Sequence, residues 1–239
     1  MSLKQRIEGI GFGAAEVADL QATALQRRFD TKFILNGRHL PAVLALLQPD
    51  YRLLRAQSQA LARYRTLYFD TADYSSVVAH HRGRRPRMKV RVRHHMDRQR
   101  SFLEVKMKTG AERTDKARYS LPFGCEELDA GARAFLAEQP LPVPDGLQAA
   151  LRTDFDRVTL LGAAQERVTL DVGLSFSGPG VDHALPGLCV VEVKQARLMA
   201  RSPVMVALRA CGGMPGLEVD AAGQALLVDV IDPEDWAIW

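Results

Sequence analysis

Cysteine is scarce in the 239-residue sequence, and long apolar runs are absent. Cys125, Cys189 and Cys211 are scattered and odd in number, which argues against a disulfide framework and fits a reducing cytoplasm, where we expect the protein to reside. There is no apolar run of about 18 residues and no basic segment preceding an apolar core. The sequence therefore predicts neither a membrane span nor a secretory signal.

Motifs of nucleotide-binding and nucleophilic enzymes are weak or missing. The glycines of Gly9–Gly13 have no preceding strand and no GK[ST] sequence, so residues 1–27 are predicted to be a flexible lead-in. The histidines occur as neighbouring pairs, His80–His81 and His94–His95, and neighbours on a strand point to opposite faces. We therefore expect structural or solvated roles for them, and no Ser/His/Asp or Cys/His set stands out.

Basic residues are concentrated in the first half of the chain. The net charge is +4, yet residues 1–120 hold 24 Lys and Arg against 11 Asp and Glu, whereas residues 121–239 hold 8 against 17. This asymmetry predicts a cationic site built mainly by the first half, with carboxylates contributed by the second. The composition, 47% hydrophobic and 25% charged, is that of an ordinary globular protein.

The stretch Met88–Lys108 shows the cationic pattern most clearly. Side chains alternate across a strand, so the first strand of this stretch, taken together with the preceding Arg87, has four cations on one face. They are Arg87, Lys89, Arg91 and Arg93. Its second strand groups three charged residues in the same way: Glu104, Lys106 and Lys108. Cations about 6.6 Å apart repel each other by about 2.5 kcal/mol at an effective dielectric of about 20. A solvated face tolerates this repulsion but usually mixes charge signs, so the pattern favours a phosphate-rich ligand.

Further alternating segments bring the predicted strands to about eight: 28–35, 63–70, 87–93, 101–108, 116–121, 153–161, 165–172 and 188–195. Predicted helices, loops and connectors are helices 38–47, 125–138 and 203–211, loops 71–86 and 175–187, and a proline-rich connector 140–146. An α+β fold follows, either a half-exposed antiparallel sheet or a closed antiparallel barrel with a polar lumen and helices outside. Charged faces on strands from both halves favour the barrel.

Six stretches, in this order, resemble the bacterial VTC-domain family, the polyphosphate-polymerase branch of the triphosphate tunnel metalloenzymes. They are RFDTKF (Arg28–Phe33), YRTLYFDT (Tyr64–Thr71), HHRGRRPRMKVRVR (His80–Arg93), SFLEVKMK with RTDKAR (Ser101–Arg118), RVTLD (Arg167–Asp171) and VVEVK (Val190–Lys194). The resemblance implies one tunnel domain over residues 28–239, a barrel of about eight strands that binds triphosphate.

The resemblance also implies which side chains act in the tunnel. The residues expected to be catalytic, gripping the reacting phosphates, are Lys32, Arg91, Arg93, Lys106, Arg157 and Arg167. The residues expected to bind substrate beside them are Arg28, Lys89, Lys108, Lys116, Arg118 and Lys194. Glu192 matches the carboxylate that holds Mg²⁺ or Mn²⁺, and Glu104 is a second metal candidate. The alternative for Glu192 is an ion pair with Lys194 or Arg167.

The family reaction is transfer of the ATP γ-phosphoryl group to a growing polyphosphate, so the implied partners are ATP, tripolyphosphate or polyphosphate. Such transfer needs positioning and charge neutralisation, which arginine forks and lysine point charges supply. The alternatives are an inorganic triphosphatase of the same superfamily and a non-catalytic polyanion-binding module. Nucleic acid is not expected, because the cationic faces lack interleaved aromatic residues.

One C-terminal segment departs from the family pattern. The family usually carries a Ser-Lys-Tyr step before Cys-x-Gly, and the lysine faces phosphate. The corresponding stretch here is Leu217–Gly223, with Val219 at the lysine position and the acids Glu218 and Asp220 on either side. This change predicts weaker phosphate binding or turnover and is the basis of the non-catalytic alternative.

Overall fold

The computed structural model describes residues 3–22, 29–56, 58–110 and 114–215. Within them lie the helices α1 (Leu3–Gly9), α2 (Val17–Ala22), α3 (Leu40–Leu47), α4 (Ser75–His81), α5 (Ala130–Ala137) and α6 (Pro203–Ala210), with short 3₁₀ turns at Gly37–His39 and Met96–Arg98. The strands are β1 (Gly13–Ala15), β2 (Phe29–Asn36), β3 (Arg52–Leu54), β4 (Ala62–Asp70), β5 (Arg87–His95), β6 (Arg100–Lys108), β7 (Thr114–Leu121), β8 (Gln148–Leu161), β9 (Arg167–Gly178), β10 (Val181–Gln195) and β11 (Met214–Pro215).

One large sheet contains the described strands. Its main path runs β11-β2-β10-β9-β8-β4-β5-β6-β7, and every neighbouring pair on that path is antiparallel. The short strand β3 pairs with β8 and with β1, and the β1–β3 pairing is parallel. The predicted α+β class with antiparallel strands is confirmed.

The helices cover the apolar face of the sheet in two separate cores. In the first, α1, α3 and α6 pack on the apolar face of β2 and β8–β10, with side chains such as Leu44, Val191 and Leu208 buried. In the second, α5 packs on β4–β6 through Leu136 and Leu103. The alternating sequence therefore places the charged side chains of these strands on the opposite, polar face. None of the helices in the described residues is both long and apolar enough to cross a membrane.

The sheet curves so that its polar face is concave. Lys32 on β2 and Lys89 on β5 are five strand spacings apart, about 24 Å on a flat sheet at about 4.8 Å per strand. Yet the charge of Lys32 lowers the pKa of Lys89, so the two ends of the path lie close together. Bulges in the β4–β8, β8–β9 and β9–β10 pairings bend the strands in the same region.

The prediction of a closed barrel is wrong: within the described part of the chain, the hydrogen-bonded path is open between β7 and β11. The outer edge of β2 pairs with Met214 and Pro215, and a proline has no N–H with which to extend a ladder. Lys32 and Lys106, which face each other across the gap, also repel one another, because each carries a positive charge. The curved sheet thus encloses the polar face without joining its edges.

The first residues of the chain are part of the fold, not a flexible lead-in. Ile7 of α1 and Ala15 of β1 are fully buried against the first core. That prediction is therefore wrong for the described residues of this segment, because its apolar side chains complete the packing of α3. The boundary of a single domain at residue 28 stays a prediction.

Three predicted loops and helices differ from the structure. The predicted loop 71–86 contains α4, whose second and third N–H groups, those of Ser76 and Val77, donate to the Asp70 carboxylate. The predicted helix 125–138 begins only after Asp129, whose side chain caps it through the Ala132 N–H at 2.8 Å. The predicted loop 175–187 is the hairpin between β9 and β10, which turns at Gly180 with φ of +76°.

Candidate functional site

The strand registers place every predicted site residue that the structure describes on the concave face. Opposed pairs that share this face are Lys32 with Glu192, Asp30 with Lys194, Lys194 with Arg167, Arg157 with Asp171, Arg91 with Glu104, Lys89 with Lys106, Arg87 with Lys108, Lys106 with Lys116, and Glu104 with Arg118. Arg93 lies opposite Thr66 of β4 on the same face. Arg28 lies outside the described residues, so its predicted role is untested.

We call the concave face of β5, β6 and β7 the cationic wall. Its charged residues include Arg87, Lys89, Arg91, Arg93, Glu104, Lys106, Lys108, Lys116 and Arg118. Burial, and then the charges of Lys32 and Lys106, lower the pKa of Lys89 to about 7. Burial and the charge of Lys116 lower the pKa of Lys106 to about 8. The wall is thus strongly cationic and held at an electrostatic cost.

Two arginines at the centre of this wall are oriented by neutral hydroxyls and one carboxylate. Arg91 donates to Glu104 Oε2 from Nε at 2.8 Å and to the Tyr68 hydroxyl from Nη1 at 3.3 Å. Arg93 donates from Nε to Thr66 Oγ1 at 3.3 Å. Burial and the charge of Arg91 lower the pKa of Arg93. Because Arg93 donates to a neutral oxygen there, its charge is the one that an anion would stabilise most.

The cationic wall continues past its centre toward the start of β5. Burial lowers the pKa of Arg87, and the charge of Arg85 lowers it further. Burial and the charges of Arg85 and Arg87 likewise lower the pKa of Lys108. From Arg93 to Arg87 the strand rises about 20 Å at about 3.3 Å per residue. A long track of positive charge therefore lies along one strand direction.

The concave face of β2, β10, β9 and β8 we call the paired wall, because three carboxylates lie among its cations. Its charged residues are Asp30, Lys32, Arg157, Arg167, Asp171, Glu192 and Lys194. Arg157 donates from Nε and Nη2 to both carboxylate oxygens of Asp171, at 2.5 and 2.6 Å. Burial alone would lower the pKa of Arg157, but Asp171 raises it above the ordinary value. The sequence did not predict Asp171 as a partner of Arg157.

Glu192 and Lys194 contact each other on the paired wall. The ammonium of Lys194 contacts the Glu192 carboxylate and lies 3.6 Å from Asp30 Oδ2. Burial would raise the pKa of Glu192, but Lys194 and then Lys32 lower it to about 2. The ion pair anticipated as the alternative role of Glu192 is therefore present, whereas the metal role is not tested by these contacts.

The donor set fits a divalent cation that takes most of its ligands from phosphate. No group of three or more His, Cys, Asp and Glu able to hold a metal occurs in the described ranges of the chain. Mg²⁺ needs only one or two carboxylates when substrate phosphates supply the remaining oxygens. Glu192 is ionised, Asp30 lies beside the same ammonium, and the Thr169 hydroxyl opposite Glu192 is buried with no hydrogen-bond partner in the described structure. Glu104 is already bound by Arg91.

Aromatic rings lie among the arginines, which corrects the reason given against nucleic acid. The Arg118 guanidinium is 4.5 Å from the Phe102 ring centre, and the Arg93 guanidinium is 5.6 Å from that of Tyr64. Most of these rings come from neighbouring strands, so no single strand shows the interleaving. The alternation of Tyr64 with Tyr68 in YRTLYFDT was the signal that sequence reasoning missed.

The histidine pair on β5 points to opposite faces, as predicted. His94 is buried on the apolar side, where its Nδ1 lies 2.6 Å from Ser101 Oγ. His95 is on the concave face, with its ring 4.8 Å from that of Tyr64. His80 of α4 lies near the cationic wall, since burial and the charge of Lys89 lower its pKa to about 3. The segment 217–223, with the Val219 substitution, lies outside the described residues.

Comparison with known proteins identifies a family over part of the chain. The family model described as VTC domain matches residues 27–128 and confirms the predicted resemblance there. No curated protein shows significant similarity to the sequence.

Several solved structures resemble the fold at low identity. One is a proposed adenylyl cyclase from Hippeastrum described as having a dominant triphosphatase activity, with 15% identity, coverage of 82% of this chain and 96% of that one, and a TM-score of 0.45. A proposed adenylate cyclase from Vibrio parahaemolyticus has 13% identity, coverage of 79% and 84%, and a TM-score of 0.44. The PH1819 protein from Pyrococcus horikoshii has 10% identity, coverage of 86% and 99%, and the same TM-score of 0.44. At these scores we draw no conclusion about this chain from them.

Proposed function

We propose that this chain, whose residues 27–128 match the VTC domain model, is a divalent-metal-dependent phosphotransferase that moves the γ-phosphoryl group of ATP onto a growing polyphosphate. The observation that carries the proposal is the cationic wall, where closely spaced cations lower the pKa values of their neighbours. A phosphate chain lying along this wall would neutralise charges that otherwise repel.

The length of the wall favours a chain as the ligand. The track from Arg93 to Arg87, about 20 Å by strand rise, is longer than one triphosphate. Lys108, opposite Arg87, adds another cation at the far end. A triphosphate bound at Arg91 and Arg93 would not reach Arg87 and Lys108, whereas a polymer product bound along β5 would contact them.

The proposed chemistry needs no protein nucleophile. The terminal oxygen of polyphosphate attacks the γ-phosphorus of ATP, the bond from that phosphorus to the β–γ bridging oxygen breaks, and ADP leaves while the polymer gains one phosphate. Arg91 and Arg93 would hold the equatorial oxygens of the transferred group as charge-assisted forks. Lys89 and Lys106 would act as point charges that limit repulsion between the two phosphate chains.

Glu192 is the proposed metal ligand, with Asp30 and the Thr169 hydroxyl beside it on the paired wall. When bound there, Mg²⁺ or Mn²⁺ would supply positive charge that neutralises part of the charge of the phosphates. Lys194, then Lys32, and last Arg157, which Asp171 fixes, lower the pKa of Glu192 and keep its carboxylate ionised.

A triphosphatase of the same superfamily is the second candidate. In the described residues the hydrogen-bonded path is open between β7 and β11, which is compatible with water as the acceptor. Water in place of polyphosphate as acceptor would convert transfer into hydrolysis.

Product analysis after incubation with ATP and Mn²⁺ distinguishes the candidates. A polymerase yields ADP and an acid-labile polymer, whereas a triphosphatase converts tripolyphosphate to phosphate and pyrophosphate without a polymer. Tight tripolyphosphate binding in calorimetry without turnover under any divalent metal would instead identify a polyanion-binding module.

A further inference from the structure

Lys194, predicted to bind phosphate, lies beside two carboxylates of the protein instead. It follows Glu192 by two residues on β10, so both side chains point to the concave face. Its ammonium contacts Glu192 and lies 3.6 Å from Asp30 Oδ2, and its side chain is only 9% exposed. Two carboxylates from neighbouring strands therefore share one ammonium inside the fold.

The surroundings of this ammonium are those that a hard divalent cation prefers. Asp30 and Glu192 converge on one point, and Thr169 lies directly opposite Glu192 on the adjacent strand. Thr169 is 4% exposed, and its hydroxyl has no hydrogen-bond partner in the described structure. A buried hydroxyl without a partner costs free energy, which indicates that a ligand of this pocket satisfies it. Carboxylate and hydroxyl oxygens are ligands suited to Mg²⁺ and Mn²⁺.

We propose that Lys194 is a positioning residue whose ammonium occupies the Asp30–Glu192 carboxylate pair until a divalent cation displaces it toward the bound phosphates. The inference rests on the proposed function in taking Glu192 as the metal ligand and phosphate as the ligand of the concave face. The flexible four-carbon stem of lysine permits this movement without a change in the backbone.

The exchange couples metal binding to phosphate binding. Without phosphate, a cation entering the pocket must break the contacts of the Lys194 ammonium with Glu192 and Asp30, so metal binds weakly. With phosphate present, the displaced ammonium gains a new anionic partner, and the penalty disappears. Linkage requires that the metal strengthen phosphate binding by the same factor. The pocket therefore favours a metal that arrives together with a phosphate ligand over a free metal ion.

The test is Mn²⁺ binding to the full chain without nucleotide, measured by electron paramagnetic resonance of free Mn²⁺. Lys194→Met is expected to bind Mn²⁺ about tenfold more tightly than the parent, within the usual range of coupling factors. Lys89→Met is the matched control, because it removes the same charge from the same concave face at a position whose neighbours are cations. We expect it to raise Mn²⁺ affinity by less than about threefold, through long-range repulsion alone.

A second substitution and a second measurement keep the test valid if Lys194→Met folds poorly. Lys194→Gln keeps a polar side chain and must shift Mn²⁺ affinity in the same direction. If Lys194→Met is less stable than the parent, Mn²⁺ must still raise its melting temperature by more than it raises that of the parent, since stabilisation by a ligand grows with the logarithm of its affinity.

Two outcomes would overturn the inference, and they are distinguishable. If Glu192→Gln abolishes Mn²⁺ binding while Lys194→Met and Lys89→Met behave alike, the exchange is wrong and the metal assignment stands. If Glu192→Gln leaves Mn²⁺ affinity at the parental value, the metal assignment in the proposed function is wrong, and the exchange falls with it.

Discussion

The two walls of the concave face differ in how their charged side chains are paired. On the paired wall, Arg157 is matched by Asp171, and Lys194 by Glu192 and Asp30. On the cationic wall, Glu104 is the one carboxylate that the described strands contribute to the concave face. There burial and the charges of Lys32 and Lys106 lower the pKa of Lys89, and burial and the charge of Lys116 lower that of Lys106. The first wall is satisfied by the protein itself, whereas the second is complete only with an anion. This contrast supports the proposal that phosphate binds the cationic wall and the metal binds the paired wall.

The largest expected effect comes from removing an arginine guanidinium from the cationic wall. Arg93→Ala should weaken tripolyphosphate binding about 1,000-fold, because two charge-assisted hydrogen bonds of about 1.5–3 kcal/mol each are lost. Calorimetric titration measures the change. Arg65→Ala is the control, since Arg65 lies on the other face of β4 and pairs with Asp154. Parental affinity in Arg93→Ala, or in the equivalent Arg91→Ala, would refute the assignment of the phosphate site.

Breaking a pair on the paired wall should instead affect stability. Arg157→Met leaves the Asp171 carboxylate, whose side chain is 14% exposed, without its partner. We expect the free energy of unfolding to fall by about 3 kcal/mol, the usual cost of leaving one buried charge unpaired. Urea denaturation measures it. The double variant Arg157→Met/Asp171→Asn should recover most of the loss, and equal stability of the single and double variants would show that the pair is not what stabilises this wall.

Removing a charge from the cationic wall should have the opposite sign. Lys89→Met is expected to raise the free energy of unfolding by about 2 kcal/mol at pH 6, because a charged Lys89 is destabilised by burial and by its neighbours. The pKa of Lys89 is about 7 in the folded protein and about 10.4 when unfolded. The gain is therefore full below about pH 7 and fades as pH rises to about 10. A destabilised Lys89→Met variant at pH 6 would contradict the unpaired character of this wall.

The same lysines should make phosphate binding depend on pH. At pH 8 Lys89 is mainly neutral and Lys106 about half protonated in the free protein. A bound polyphosphate raises both pKa values, so binding takes up protons and weakens as pH rises from about 7 to 9. Calorimetry in buffers of different ionisation enthalpy measures the uptake. The difference between the parent and Lys89→Met isolates the proton of Lys89 from those of the phosphate, and identical uptake in both would show that this lysine does not contact phosphate.

The smallest expected effect concerns how an arginine is held. Tyr68→Phe removes the hydroxyl that accepts a hydrogen bond from Arg91 Nη1 at 3.3 Å. We expect about fivefold weaker tripolyphosphate binding, equivalent to about 1 kcal/mol, because Glu104 still orients the guanidinium. Unchanged affinity would mean that Glu104 alone positions Arg91.

Local alternation predicted which face each charged residue occupies. The period of two in Arg87–Arg93 and in Glu104–Lys108 places these residues on one face whatever the neighbouring strand is. Partners across strands depend on register, which the sequence of one strand does not contain. For this reason the contacts of Arg157 with Asp171 and of Lys194 with Asp30 emerged only from the folded sheet.

The larger shape was less predictable for a similar reason. Closure of a barrel depends on strand tilt, bulges and edge partners summed over the whole sheet. The short strand Met214–Pro215 pairs with β2 and forms one edge of the sheet, and no periodic pattern in the sequence predicts this pairing. The composition of 175–187, rich in glycine and serine, is typical of a loop, yet long-range pairing extends both β9 and β10 through it.

A structure of the full chain bound to tripolyphosphate tests the central contrast most directly. The account predicts phosphate oxygens within hydrogen-bond distance of Arg91, Arg93 and Lys106 on the cationic wall, with Arg157 still held by Asp171. Phosphates bound instead on the outer face, among Arg63, Arg65 and Arg152, with the concave face unchanged, would contradict it.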